Sequence, residues 1–220
     1  MFKGKIYWLL LLLLPLAFIG WYFYSKKENK PIRTLAYFGP KNYGKAKDTA
    51  YHTIPPFFFT DQYGQKLTEN EVKDKIYVTD FFFTTCQSIC PIMSTELERV
   101  YKKYKSRNDF LIISHTVDPE TDSVKQLMEY AKLHGVDDNK WLFVTGEKKH
   151  LYETARKGYL LNAEEGDGGE EDFIHTQNFA LIDKERHIRG FYDGTDSIDI
   201  NRLLVDLKCL FDEYEFKEKK

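Results

Sequence analysis

The sequence predicts an α/β fold in which strands and helices alternate, with a β-hairpin in front and a second hairpin and closing helix behind. Three observations carry this. Ile76 to Phe83 is an apolar run of strand length, and a helical pattern starts at Pro91 shortly after it. Asp109 to Val117 contains a second such run, Phe110-Leu111-Ile112-Ile113. Between that run and the third one, Trp141 to Val144, Thr121 to His134 sets Val124, Leu127, Met128 and Ala131 at helical spacing.

The first element lies ahead of the domain. Ile6 to Tyr24 carries no charge and holds the run Leu9 to Leu14, enough for a tilted helix to cross most of a bilayer. Trp8, Trp21, Tyr22 and Tyr24 lie near its ends, as interfacial anchors do. No small-x-small cleavage site follows Ala17, and no cysteine is near for lipid attachment. Residues 1–24 are therefore expected to be an uncleaved membrane anchor and 25–53 a linker rich in Lys, Asn, Gly and Tyr. A domain of residues 54–216 comes after it. Lys3 and Lys5 on one side and Lys26, Lys27 and Lys30 on the other leave the orientation undecided by charge.

Within the domain, Phe57 to Thr60 and Gln65 to Thr68 flank the turn Asp61-Gln62-Tyr63-Gly64, a hairpin. The strand Ile76 to Phe83, a helix from Pro91 to Lys105, the strand Asp109 to Val117 and the helix Thr121 to His134 come next. Asp118 to Asp122 reads as a turn whose Asp or Thr caps that helix. Trp141 to Val144 is a strand and Glu147 to Lys157 a helix. Asn162 to Asp172 is an acidic, glycine-rich surface loop whose spacing is not that of an EF-hand. Thr176 to Asp183 and His187 to Tyr192 form a hairpin, and Ser197 to Tyr214 a final helix. This order is that of a thioredoxin-like fold with an N-terminal β-hairpin extension, preceded by one transmembrane helix.

A formal net charge of -2 gives no basic surface for nucleic acid. Three cysteines are too few for a disulfide-stapled scaffold. Two of them, Cys86 and Cys90, sit where a strand hands over to a helix, a place that favours thiolate. Such a pair can form a plain disulfide, exchange with other disulfides, reduce peroxide or bind a soft metal such as Cu(I). The C-x3-C loop is less constrained than the C-x2-C of exchange enzymes. Among the histidines, His134 suits a helix C-terminus, and His150 a helix surface. His187 lies in a hairpin, His52 in the linker, and His115 within a strand. His175 stands apart, ending the acidic loop and immediately preceding a strand, a placement equally open to a third ligand and to an ordinary structural histidine. Cys209, among leucines of the last helix, reads as core.

At these residues the chain resembles the Sco/SenC family. The resemblance rests on Ile54-Pro55-x-Phe57, Asp61-Gln62-x-Gly64, Phe83-Thr84-x-Cys86-x3-Cys90-Pro91, Ser114-x2-Val117-Asp118-Pro119-Glu120-x-Asp122 and Thr145-Gly146. It implies one copper ion, Cu(I) or Cu(II), on Cys86, Cys90 and His175. It also implies a role in assembling the binuclear copper site of cytochrome c oxidase, by copper delivery, by reduction of its cysteines, or both. The implied partners are the copper-site subunit of the oxidase and other copper chaperones or thiol reductants. The implied location is a single-pass anchor with its domain in the periplasm or intermembrane space. Two departures stand out. The cysteine loop reads Gln87-Ser88-Ile89 where many members have a proline and an acid, and Ile174 stands where many have an acid before the histidine. The alternative is a metal-independent thiol-disulfide oxidoreductase, with Cys86 attacking and Cys90 resolving, or a redox sensor.

Overall fold

In the computed structural model, which describes residues 15, 18–22, 33–43, 49–161, 169, 174 and 176–219, the apolar run Ile76–Phe82 becomes a strand buried along its whole length. In chain order the elements are β1 (Asn42–Tyr43), β2 (Thr49–Ala50), β3 (Phe58–Asp61), β4 (Lys66–Thr68), β5 (Ile76–Phe82), α1 (Cys90–Tyr104), β6 (Phe110–Thr116), α2 (Val124–Leu133), β7 (Trp141–Thr145), α3 (Lys148–Glu153), a π-helical turn (Thr154–Gly158), β8 (Asn178–Ile182), β9 (Ile188–Asp193) and α4 (Ser197–Lys217). Strands β1 and β2 pair with each other alone; the other seven form one sheet in the order β4-β3-β7-β6-β5-β8-β9. Strands β5, β6 and β7 are parallel, and both hairpins join them antiparallel.

Both faces of the sheet are covered, which is why its central strands read as unbroken apolar runs rather than alternating ones. Ile76, Val78 and Phe82 of β5 pack with Met93, Leu97 and Val100 of α1 and Leu203, Leu207 and Leu210 of α4. Tyr77 and Phe81 point the other way, to Ile54, Phe57, Leu151, Tyr152 and Tyr159. Three parallel strands ending at one edge set the start of α1 and the loop before α2 side by side. In open α/β sheets that edge is where ligands collect.

Three details differ from the sequence expectation. Helix α2 is capped by Ser123, whose hydroxyl accepts from Gln126 N–H while the Gln126 side chain accepts from Ser123 N–H. The acids at 118 and 122 are used elsewhere. Ser123→Ala should cost about 1 kcal/mol, read as a shift in the urea midpoint; no shift would show that the box contributes nothing. The helix expected over Glu147 to Lys157 is regular only to Glu153. One extra residue then widens it, with Tyr159 N–H donating to Thr154 O at 2.8 Å. This turn delivers the Tyr159 ring onto Tyr77, Phe81 and His115.

The third concerns the arm before the domain. The chain divides into Met1–Arg33 and Thr34–Lys220, so the described residues 34–43 and 49–53 of the expected linker share a unit with the sheet. Arg189, fully buried, holds the arm: its guanidinium donates to Leu35 O (2.8 Å) and Ala36 O (3.2 Å) and lies over the Tyr37 ring. The same group pairs with Asp183 at 3.0 Å and Glu213 at 2.8 Å. In the first unit Pro15 and residues 18–22 are helical and exposed; the rest of the expected anchor lies outside the described residues. Among the described residues no helix is long and apolar enough to cross a membrane.

Candidate thiol and metal centre

Strand β5 ends at Phe82, and Phe83, Thr84 and Thr85 carry the chain outward to Cys86. Cys86 N–H donates to Phe83 O at 3.2 Å, turning the chain back toward the sheet. Helix α1 then begins at Cys90, with Pro91 in its first turn, where a missing N–H costs nothing. Ile89 at the cap position supplies no side-chain acceptor, so the first amide groups of the loop and helix remain available to a sulfur. Both thiols are free; Cys86 is half-buried and Cys90 buried.

The two thiols are unlike. Burial alone would raise Cys86. Hydrogen bonds to its sulfur from the Cys90 thiol, the Ser88 and Cys90 amides and the Ser88 hydroxyl outweigh this and bring it below the ordinary thiol value. Cys90 is pushed up to about 12, first by burial and then by its bond to Cys86. One sulfur is thus an accessible nucleophile and the other a protonated neighbour.

Beneath Cys90 lies a carboxyl group that belongs to none of the sequence motifs above. Asp80 is the one acid in the Ile76 to Phe83 run, and strand alternation turns it to the α1 side with Val78 and Phe82. It is 2% exposed and accepts from the Ser114 hydroxyl, which in turn accepts from Trp141 Nε1–H at 2.9 Å. Burial raises its pKa to about 7, against the opposing bond from Ser114. Its charge is among the influences that raise Cys90. Tyr130 from α2 closes the floor, its hydroxyl 2.8 Å from Ser94 Oγ. A lone acid inside an apolar strand was a readable signal, since an unpaired buried charge is costly.

The wall of the site is Asp122. Its carboxylate, fully buried, accepts from the Thr84 amide at 3.1 Å and from the hydroxyls of Thr84 and Thr116. It does not cap α2, as the sequence suggested for this stretch; it ties the entry of the cysteine loop to the end of β6.

The described histidines are all engaged elsewhere. His134 Nδ1 meets Glu98 at 3.1 Å, His150 Nε2 accepts from Phe58 N–H, and His52 Nε2 donates to Gly158 O at 2.6 Å. His187 Nδ1 donates to His52 O at 2.9 Å. His115 faces the opposite side of the sheet from Asp80, next to Phe59 and Phe81. Burial drops its pKa to about 3, so it is neutral. His175 lies outside the described residues, and among the described residues no three His, Cys, Asp or Glu side chains gather where they could hold a metal ion. Ile174 is buried in the core with Tyr159 and Leu161, which accounts for an apolar side chain before that histidine. Cys209 packs half-buried against the first core layer, as expected. Two adjacent thiols with one sulfur open to solvent suit a soft, thiophilic ion and equally suit disulfide exchange.

Comparison with known proteins agrees with this fold. A sequence model of SCO1/SenC matches residues 45–211. The SCO1 protein homolog of Bacillus subtilis is 31% identical over 164 residues, covering 74% of this chain and 84% of that protein. Among solved structures, BsSco, described as a Sco-family cytochrome c oxidase assembly protein with a disulfide switch, superposes with a TM-score of 0.63 at 27% identity, covering 82% of this chain and 98% of that one. Arabidopsis thaliana ScoI with copper bound gives a TM-score of 0.59 at 25% identity, covering 74% and 99%. The mixed sheet with its thiol pair at the end of β5 is a thioredoxin-like fold, and the chain belongs to the SCO1/SenC family.

Proposed function

We propose that the chain is a membrane-anchored copper-binding protein that assists assembly of the copper site of cytochrome c oxidase. Copper is its cargo, held by Cys86 and Cys90 with His175 as third ligand. The carrying observation is the pair of free thiols meeting at the mouth of the sheet, one buried and one half-buried. Two sulfurs and an imidazole are a donor set that suits Cu(I), and the open side of Cys86 leaves room for a partner's thiolates. The copper-bound ScoI and the oxidase-assembly description of BsSco support the same reading. Residues 1–24 anchor the chain, and the domain works in the periplasm or intermembrane space, where the oxidase subunit receives copper.

The reduced full chain, titrated with Cu(I) against a competing chelator, is expected to take up one ion. His175→Ala should weaken binding at least about tenfold, the lower range seen when even an outer partner of a metal ligand is removed. X-ray absorption should show sulfur and nitrogen at the metal. Unchanged affinity in His175→Ala would remove that residue from the ligand set.

A second reading is favoured by the contrast between the thiols. The Cys86 thiolate attacks one sulfur of a partner disulfide, whose other sulfur leaves as thiolate. Cys90 then gives its proton to solvent and attacks Cys86, releasing the second partner thiol. The partner gains two electrons, and Cys86–Cys90 becomes the disulfide. Rapid reduction of a disulfide substrate by protein that takes up no copper would favour this reading over the first.

A further inference from the structure

We propose that Asp122 is the positioning residue of the thiol centre, the group that holds Cys86 within reach of Cys90. The proposal deepens the reading above but stands on hydrogen bonds that involve neither the metal nor the sulfurs. Thr84 is two residues before Cys86. It gives both its amide (3.1 Å to one carboxylate oxygen, 3.3 Å to the other) and its hydroxyl to Asp122. Thr116 gives its hydroxyl to the same carboxylate. Thr116 closes β6 opposite Phe82 of β5, and Val117 N–H donates to Phe82 O at 2.8 Å. The end of one strand, the start of the cysteine loop and the turn before α2 thus converge on one buried carboxyl group.

The chemistry explains why this position needs a carboxylate. A carboxyl group with no exposure is tolerated only when its oxygens have hydrogen-bond partners, and here two hydroxyls and an amide supply them. An amide side chain would put an NH2 in place of one of the two oxygens that the Thr84 N–H faces, leaving donor against donor there, and would force a threonine hydroxyl to turn and accept. Without the anchor, the Thr84 backbone gains freedom, because the other ties of the loop 84–89 are made within the loop and to the first turn of α1. Cys86 N–H donates to Phe83 O, and the Cys86 sulfur accepts from the Ser88 and Cys90 amides and meets Ser88 Oγ at 3.7 Å; none of these reaches β6 or the turn before α2. The segment Asp118 to Asp122 holds the other side: Asp122 N–H donates to Asp118 O at 2.8 Å, and Asp118 N–H to Thr116 Oγ1 at 2.9 Å. The knot is therefore rigid from the α2 side and acts on the cysteine loop.

The readout is the effective concentration of Cys86 for Cys90, measured on the metal-free full chain by equilibrating the pair with glutathione. Asp122→Asn and Thr84→Val should each lower it about tenfold, equal to about 30 mV for a two-electron couple. Thr84→Ser, which keeps the hydroxyl, should stay at the wild-type value. Ser123→Ala serves as control, because it loosens α2 at the next residue without touching the knot; it should shift the urea midpoint and leave the thiol equilibrium unchanged. Should Asp122→Asn not fold, the two Thr84 variants decide alone. Equal values for Thr84→Val and Thr84→Ser would overturn the proposal, as would a Ser123→Ala shift as large as that of Thr84→Val. Copper affinity measured in parallel separates this from the proposed function: wild type that takes up no copper defeats that function and leaves the thiol equilibrium as the test of Asp122.

Discussion

Replacing Arg189 by alanine is expected to lower the unfolding free energy by about 3–5 kcal/mol, the cost of removing one partner from a buried ion pair. Asp183 and Glu213 would remain in the interior with side-chain exposures of 0% and 5%, Asp183 without its ion-pair partner and Glu213 with Lys217 alone at 2.9 Å. The carbonyls of Leu35 and Ala36 would lose their donors, and Tyr37 the cation over its ring. Arg189→Lys should recover only part of the loss, because an ammonium cannot reach four acceptors in the plane that a guanidinium spans. Urea unfolding measures the first effect. Amide hydrogen exchange at residues 35–38 measures the second, since the arm should open before the sheet does. A loss under about 1 kcal/mol would show that the cluster contributes little beyond what desolvation takes away.

Asp80→Asn is expected to act in the opposite direction and only at one end of the pH scale. The folded pKa of Asp80, about 7, stands above the ordinary value of 3.8. Between those values the folded protein keeps a proton that the unfolded chain has lost, so wild-type stability falls as pH rises through this window. A shift of this size corresponds to about 4 kcal/mol. An asparagine cannot ionise and still accepts from Ser114. The variant should match wild type near pH 4 and exceed it by several kcal/mol at pH 8, measured on reduced, metal-free protein. Asp109, Glu98 and Glu213, all held low by basic partners despite their burial, move stability the other way at acid pH and cancel in the difference between the two proteins. A difference that does not vary with pH would assign Asp80 a purely steric role.

Much of the architecture was readable in the sequence because its signals are local. Apolar runs too continuous for a half-exposed strand marked β5, β6 and β7, and the Ser197 to Tyr214 periodicity marked α4. The cysteine pair was readable because strand, thiols and Pro91 are contiguous. What escaped was charge held by partners remote in sequence. Asp122 and Ser123 are neighbours that both suit a helix cap, and only the arrival of Thr84, thirty-eight positions away, decides which is used for what. Arg189 looks like an outward-facing residue of an edge hairpin until the arm at Leu35 and Ala36 folds across it. Asp80 passed as part of an apolar run, and its meaning depends on Ser114 and Trp141 from two other strands.

The widened turn at Thr154–Gly158 has a consequence for how this chain tolerates length changes. Each residue added to a regular helix rotates the chain beyond it by about 100°, so the surplus residue here sets the heading of Tyr159 as surely as a side chain would. Deleting one residue from that turn would leave a better-formed helix and swing the tyrosine ring away from Tyr77, Phe81 and His115. Local regularity and a filled interior are therefore opposed at this point, and the fold has kept the second.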